Sequence, residues 1–208
     1  MIGGSKGLSR LQLDALREVA SIGAGHAATA LSSLTGRRIN VEVPRLQVIE
    51  LEEVPHLLGA ARELVTTVVI EMRGDLMGRT IQVFPEETSK RLTSILFSRR
   101  APEFPDGFGE MERSALREVS NILASAYCTA LAEFLGLRIL TSVPALAIEE
   151  AAVTLTSGMI ELINDIDPVL CLDTAFEINE SEAPVGSHFL LIPTPSSLSR
   201  ILEAIRLA

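Results

Sequence analysis

The chain has 208 residues, of which 47% are hydrophobic and 22% charged, enough to bury a substantial core and unlike a disordered chain. Its formal charge of −9 speaks against a nucleic-acid footprint and against docking on anionic membranes, and suits a protein partner with a basic patch. No run approaches the roughly 18 apolar residues of a membrane span. Met1–Arg10 lacks the apolar segment of a signal peptide. Cys128 and Cys171 stand apart from any CxxC pair or metal-spaced histidines. The expectation is a cytoplasmic protein with no membrane insertion and no metal site.

Ser9 to Leu34 carries helical periodicity, and Ser9 with Gln12 makes a capping box at its start. Ile39–Val43 and Gln47–Leu51 read as strands on either side of Pro44. Leu64–Met72 and Arg79–Phe84 read as a hairpin across the segment from Arg73 to Gly78. Glu86–Leu96 is a short helix after Pro85. Ser98–Gly109, with two Pro and two Gly, reads as a linker.

The chain is then written a second time. Asp14–Leu46 and Ser114–Leu146 align without a gap at an offset of 100 positions, with about half the residues identical. ALREV recurs, as do TAL, the glycines at 36 and 136, and Val-Pro at 43–44 and 143–144. A weaker echo relates Ile81–Leu96 to Phe189–Ala204, with Pro85 answering Pro193. Its offset has grown by eight, which places an insertion in the second half, expected at Asn164–Pro184. The predicted fold is α+β: two pseudo-symmetric helix–strand repeats, about 9–97 and about 110–208, in a single domain whose antiparallel sheet is packed by helices. Whether the strands form one sheet or two is not legible in the residues.

The repeated helix carries the chemistry. At about 100° per residue, Glu118 falls about 40° and Asn121 about −20° from Ser114, while Leu116, Val119, Leu123, Ala126 and Ala130 cluster at about 120–200°. Ser114, Glu118 and Asn121 therefore face away from the core. Asn is a poor helix-interior residue because its side chain competes for backbone hydrogen bonds, so a surface Asn in mid-helix asks for a reason. Glu18 repeats the acid on the equivalent face of the first helix.

Ser114, Glu118, Asn121 and Pro144 match the pattern Asp/Ser-x3-Glu-x2-Asn-x22-Pro, and Asp14, Glu18 and Pro44 match its first copy. With the stretch IGAGHAATAL at 22–31, the chain resembles the CheC/CheX/FliY family of chemotaxis phosphatases. The resemblance implies a CheC-like fold and a hydrolase acting on the aspartyl phosphate of CheY or a similar receiver domain. It implies that Asn121 orients the attacking water, that Glu118 pairs with a partner lysine, and that Ser114 and Asp14 support the helix face. It also implies that Pro144 and Pro44 shape the strands behind the sites. Magnesium is expected on the receiver, so this chain needs no cofactor of its own. The receptor deamidase CheD is a further expected partner, and a non-catalytic adaptor for CheY or CheD is the alternative reading. The middle domain of FliM, similar in fold without the active motif, is a third class. One departure matters: position 21 is Ser where the motif carries Asn, so the first site is expected to be degenerate.

Four other features read as structural. Gly23 and Gly25 suit close helix packing, and His26 suits a surface or packing role. Cys128 is expected toward the site face as an ordinary thiol, and the two Thr-Ala-Leu triplets at 29–31 and 129–131 are expected in the core.

Overall fold

The computed structural model describes residues 8–50, 53–54, 63–97, 108–151, 169–177 and 184–207. Helix α1 spans Arg10–Thr35 and opens on the expected capping box: the Ser9 Oγ accepts from the Gln12 N–H at 3.3 Å, and the Gln12 side chain accepts from the Ser9 N–H at 2.8 Å. It stops at Gly36, whose φ of 64° is open to glycine at little steric cost. Its counterpart α3, Glu110–Leu135, stops at Gly136 in the same conformation.

The strands are β1 (Asn40–Ile49), β2 (Leu64–Gly74), β3 (Gly78–Pro85), β4 (Ile139–Thr141), β5 (Ala145–Glu150), β6 (Val169–Glu177) and β7 (Val185–Pro193). Short helices α2 (Glu86–Leu96) and α4 (Pro195–Leu207) follow β3 and β7. All the described strands join one antiparallel sheet in the order β1-β6-β7-β3-β2-β4, with β5 also paired to β2. The pseudo-two-fold axis runs through the β3–β7 ladder. Each repeat keeps its own hairpin, β2–β3 or β6–β7, but sends its first strand to the other repeat: β1 lies against β6, and β4 and β5 lie against β2. The sheet thus stitches the repeats together.

Side chains on successive strand residues alternate between the two faces. Val68, Ile70, Phe84, Leu170, Leu172, Phe189 and Leu191 share a core with α1 and α3, while Val65, Ile81, Val83, Cys171, Leu190 and Ile192 make a separate cluster on the opposite face. On the helical side α1 packs directly on α3. A Cβ added to Gly23 would lie 2.6 Å from a Tyr127 ring carbon, so glycine is what lets the helices approach there. The repeat-related positions, Ala27 and Leu123, are completely buried, and in both pairs the small residue is on α1 and the large one on α3. Tyr127 in turn stacks at a tilt on Phe189, with ring centroids 4.6 Å apart.

Several expectations need correction. The segment around Pro44 is one bulged strand: its register shifts between Glu42 and Arg45, where proline has no N–H to give the ladder. The second Val-Pro does divide the chain, into β4 and β5. The insertion expected at Asn164–Pro184 is divided by a strand, because β6 lies within that range and pairs on both sides. The extra residues fall on either side of β6: β2 and β3 are joined by 75–77 but β6 and β7 by 178–184. Gly25 has open space around it, and Thr29, Ala30 and Thr129 are exposed, leaving Leu31, Ala130 and Leu131 in the core. Ala126 is only half-buried. The predicted linker falls, but for Phe108 and Gly109, outside the described residues.

Candidate functional site

Helix α3 is anchored by fully buried Leu116, Val119 and Leu123, which fixes the rotation of the whole cylinder. The opposite face then presents Ser114 and Glu118, both exposed, and Asn121, half-buried. Glu118 and Asn121 lie one turn apart and make no hydrogen bond or ion pair with another described residue. Their neighbours are engaged. Arg117 holds Glu110 at 2.6 Å, and its guanidinium keeps the Glu110 carboxyl below the usual carboxylate range. The cation next to Glu118 in sequence is therefore committed elsewhere.

The corresponding face of α1 presents Asp14, Glu18 and Ser21, all exposed. Its polar groups are arranged differently. Asp14 makes exposed ion pairs within its own helix, with Arg17 at 3.2 Å and with Arg10 at 4.0 Å. The Ser21 hydroxyl donates to the Arg17 carbonyl at 2.9 Å, a bond back along its own helix. The carboxylate at 18 recurs, but no outward amide accompanies it.

Each helix rests on the first strand or strands of its own repeat, α1 on β1 and α3 on β4 and β5. Pro44 lies where the β1 register shifts. Pro144 is half-buried between β4 and β5. Just before it, Ser142 stays tied to β2, its N–H donating to the Glu71 carbonyl at 2.9 Å and its Oγ accepting from the Glu71 N–H at 3.0 Å. The prolines belong to the strands under the helices, and the helix faces carry the polar groups.

Cys128 is not on the site face. It is buried beside Leu16, Val19, Leu172 and Phe189, and burial pushes its thiol up to about 12. The 320° position points into the crevice against α1, which the helical wheel cannot distinguish from solvent. His26 is exposed. The residue that sequence reasoning missed is Met111, 61% exposed one turn before Ser114. Its repeat mate Leu11 is 74% exposed. At about 100° per residue, position 111 falls about 60° from Ser114, on the Glu118 side, so the wheel held the signal. An apolar side chain beside an unpaired carboxylate and amide is the make-up of a contact surface.

A sequence profile of the CheC-like family matches residues 11–47 and 111–148, the two helix–strand units just described. The chain is 30% identical over 200 residues to the CheY-P phosphatase CheC of Bacillus subtilis (strain 168), spanning 96% of both proteins. The crystal structure of Thermotoga maritima FliY superposes with a TM-score of 0.77 at 20% identity, covering 97% of this chain and 98% of that one. The FliM middle domain from H. pylori superposes with a TM-score of 0.64 at 13% identity, covering 95% and 99%. At such identities the two structures establish the shared fold. No described helix is long and apolar enough to cross a membrane. By its tandem motif and its likeness to the Bacillus protein along nearly its whole length, the chain belongs to the CheC-like family of chemotaxis proteins.

Proposed function

We propose that this protein hydrolyses the aspartyl phosphate of a phosphorylated CheY-type receiver domain, with the Glu118/Asn121 face of α3 as its working site. The carrying observation is that these two side chains stand one turn apart on an outward face, uncommitted to any described neighbour. Similarity to a CheY-P phosphatase over 96% of the chain supports the substrate class.

An acyl phosphate is already activated, so its hydrolysis needs a water held in line with phosphorus while charge spreads over the phosphoryl oxygens. The water attacks phosphorus, the bond to the carboxylate oxygen breaks, and inorganic phosphate and the free aspartate are released. A carboxamide offers both an acceptor and donors, so Asn121 can fix that water's orientation. Glu118 pairs with a receiver lysine and sets the approach of Asn121. Met111 supplies apolar contact at the edge of the docked surface. The divalent cation belongs to the receiver. The net charge of −9 keeps nucleic acid out of the partner list.

The test is decay of a phosphorylated CheY-type receiver alone, with this protein, and with Asn121→Ala. Accelerated decay that disappears in Asn121→Ala supports the reading. Unchanged decay together with measurable binding overturns it and makes the same face the docking surface of an adaptor for a receiver or for CheD.

A further inference from the structure

On the sheet face away from α1 and α3, three side chains of different chemistry converge. Cys171 and Asp173 stand two residues apart on β6 and so project to the same face. His188 on β7 is the cross-strand partner of Asp173, and its Nδ1 lies 2.9 Å from an Asp173 carboxylate oxygen. A thiol sulfur, a carboxylate oxygen and a ring nitrogen from the three residues all lie within 4.8 Å of one another. From this geometry we propose that Cys171, Asp173 and His188 bind a divalent cation of the zinc class.

The donor set suits such an ion. Sulfur, imidazole and carboxylate together favour zinc over the hard cations magnesium and calcium, which take oxygen ligands. Three protein ligands leave a fourth tetrahedral position for water or a further group. Ligand bonds of about 2.1 Å imply ligand–ligand edges of about 3.4 Å, so side-chain rotation must draw the widest pair in by up to about 1.4 Å. Asp173 and His188 are each about a quarter exposed and give the ion its way in, while Cys171 closes the floor with no exposure.

Two neighbours on β1 bear on the charge balance. Arg45 is paired across from Asp173, and Gln47 across from Cys171. The buried Gln47 amide nitrogen lies beside the Cys171 sulfur, placed to donate to a thiolate there. A buried thiol ligates a metal ion as its thiolate. Binding therefore exchanges one proton for the ion: the S–H bond breaks, the S–metal bond forms, and the proton leaves to solvent. A thiolate and a carboxylate then neutralise the doubly charged cation.

The site was hidden from the sequence. Its ligands fall at 171, 173 and 188, with no CxxC or paired histidines, and only the antiparallel register brings 188 against 173. It lies across the sheet from Glu118 and Asn121, so it stands or falls independently of the phosphatase reading.

The test is metal titration of the full-length chain, freed of metal with a chelator. Zinc is followed by competition with a chromophoric chelator and by thermal shift. Cobalt(II) is followed by its absorption spectrum, in which a bound thiolate gives a near-ultraviolet charge-transfer band. The expected result is one equivalent bound, with that band present in the wild type and in Cys128→Ser and absent in Cys171→Ser. Asp173→Asn and His188→Ala, at partly exposed positions and checked for native circular dichroism, should each weaken binding at least about tenfold. Absence of a cobalt–thiolate band in the wild type overturns the proposal. So does a band that follows Cys128, or an affinity indifferent to Asp173 and His188.

Discussion

Ser21 donates its hydroxyl to the carbonyl of Arg17 at 2.9 Å, turning inward along its own helix at the position where the other repeat carries the uncommitted Asn121. The two helices share a length, a glycine stop and an exposed glutamate, and differ here in the group that could hold a water. A hydroxyl is shorter than a carboxamide and is already satisfied, so the first face lacks a group to hold a water. Ser21→Asn in the Asn121→Ala background should therefore restore part of the receiver dephosphorylation that Asn121→Ala removes. Loss on the order of a hundredfold is expected for Asn121→Ala, the scale of a misplaced reacting group. Single-turnover decay of phosphoreceiver checks both, and no recovery in the double variant would sink this account of the first site.

Glu118 acts on approach rather than on the water. Glu118→Gln should raise KM for the phosphoreceiver by about tenfold, near 1.4 kcal/mol, with a smaller change in kcat. Higher ionic strength should narrow the gap, because a pair at a docked rim is screened by salt. Steady-state kinetics at two salt concentrations separates this from a change in chemistry. A pure kcat effect independent of salt contradicts the pairing role.

Gly23 and Gly25 should respond oppositely to alanine. A Cβ at 23 meets Tyr127 at 2.6 Å on the ring and 3.1 Å at its backbone. Gly23→Ala should therefore cost about 1–3 kcal/mol through overpacking, despite the better helix propensity of alanine. Nothing lies within 4 Å of a Cβ at 25, so Gly25→Ala should gain up to about 1 kcal/mol. Urea unfolding of both variants decides the matter, and equal effects would contradict the packing described.

Three acids are held neutral by burial: Cys128 and Cys171, each from 9.0 to about 12, and Tyr127, from 10.0 to about 12. Each folded-state value lies above the unfolded one. Their contribution is thus complete below about pH 9 and is lost as pH rises toward 12, because only the unfolded chain sheds those protons. The slope is about 1.4 kcal/mol per pH unit for each group within that window. Urea midpoints across the alkaline range should fall steadily, and less steeply in Cys128→Ala. A flat profile would show that these groups are solvated.

How much was legible follows from which interactions are local. The capping box at Ser9 and Gln12, the outward face of Glu118 and Asn121, and the β2–β3 hairpin are set by residues within a few positions of one another. Periodicity therefore found them. The same wheel placed Cys128 near the site, because a wheel knows one helix only; the partner helix α1 covers that sector. Likewise Val-Pro reads identically at 43–44 and 143–144. It becomes a bulge where β1 stays paired with β6 across the register shift, and a break where β4 and β5 each pair with β2.

By itself, then, the sequence determined two repeated α+β units, their motif, and the loss of one asparagine. All of these rest on contacts a few residues long or on direct comparison of the two copies. The tertiary structure alone decided that the repeats exchange their first strands and share one sheet through β3 and β7. Only the fold, likewise, set Cys171, Asp173 and His188 on one face of that sheet. Strand register joins residues far apart in the chain, and no local pattern encodes which distant strand will supply the missing backbone hydrogen bonds.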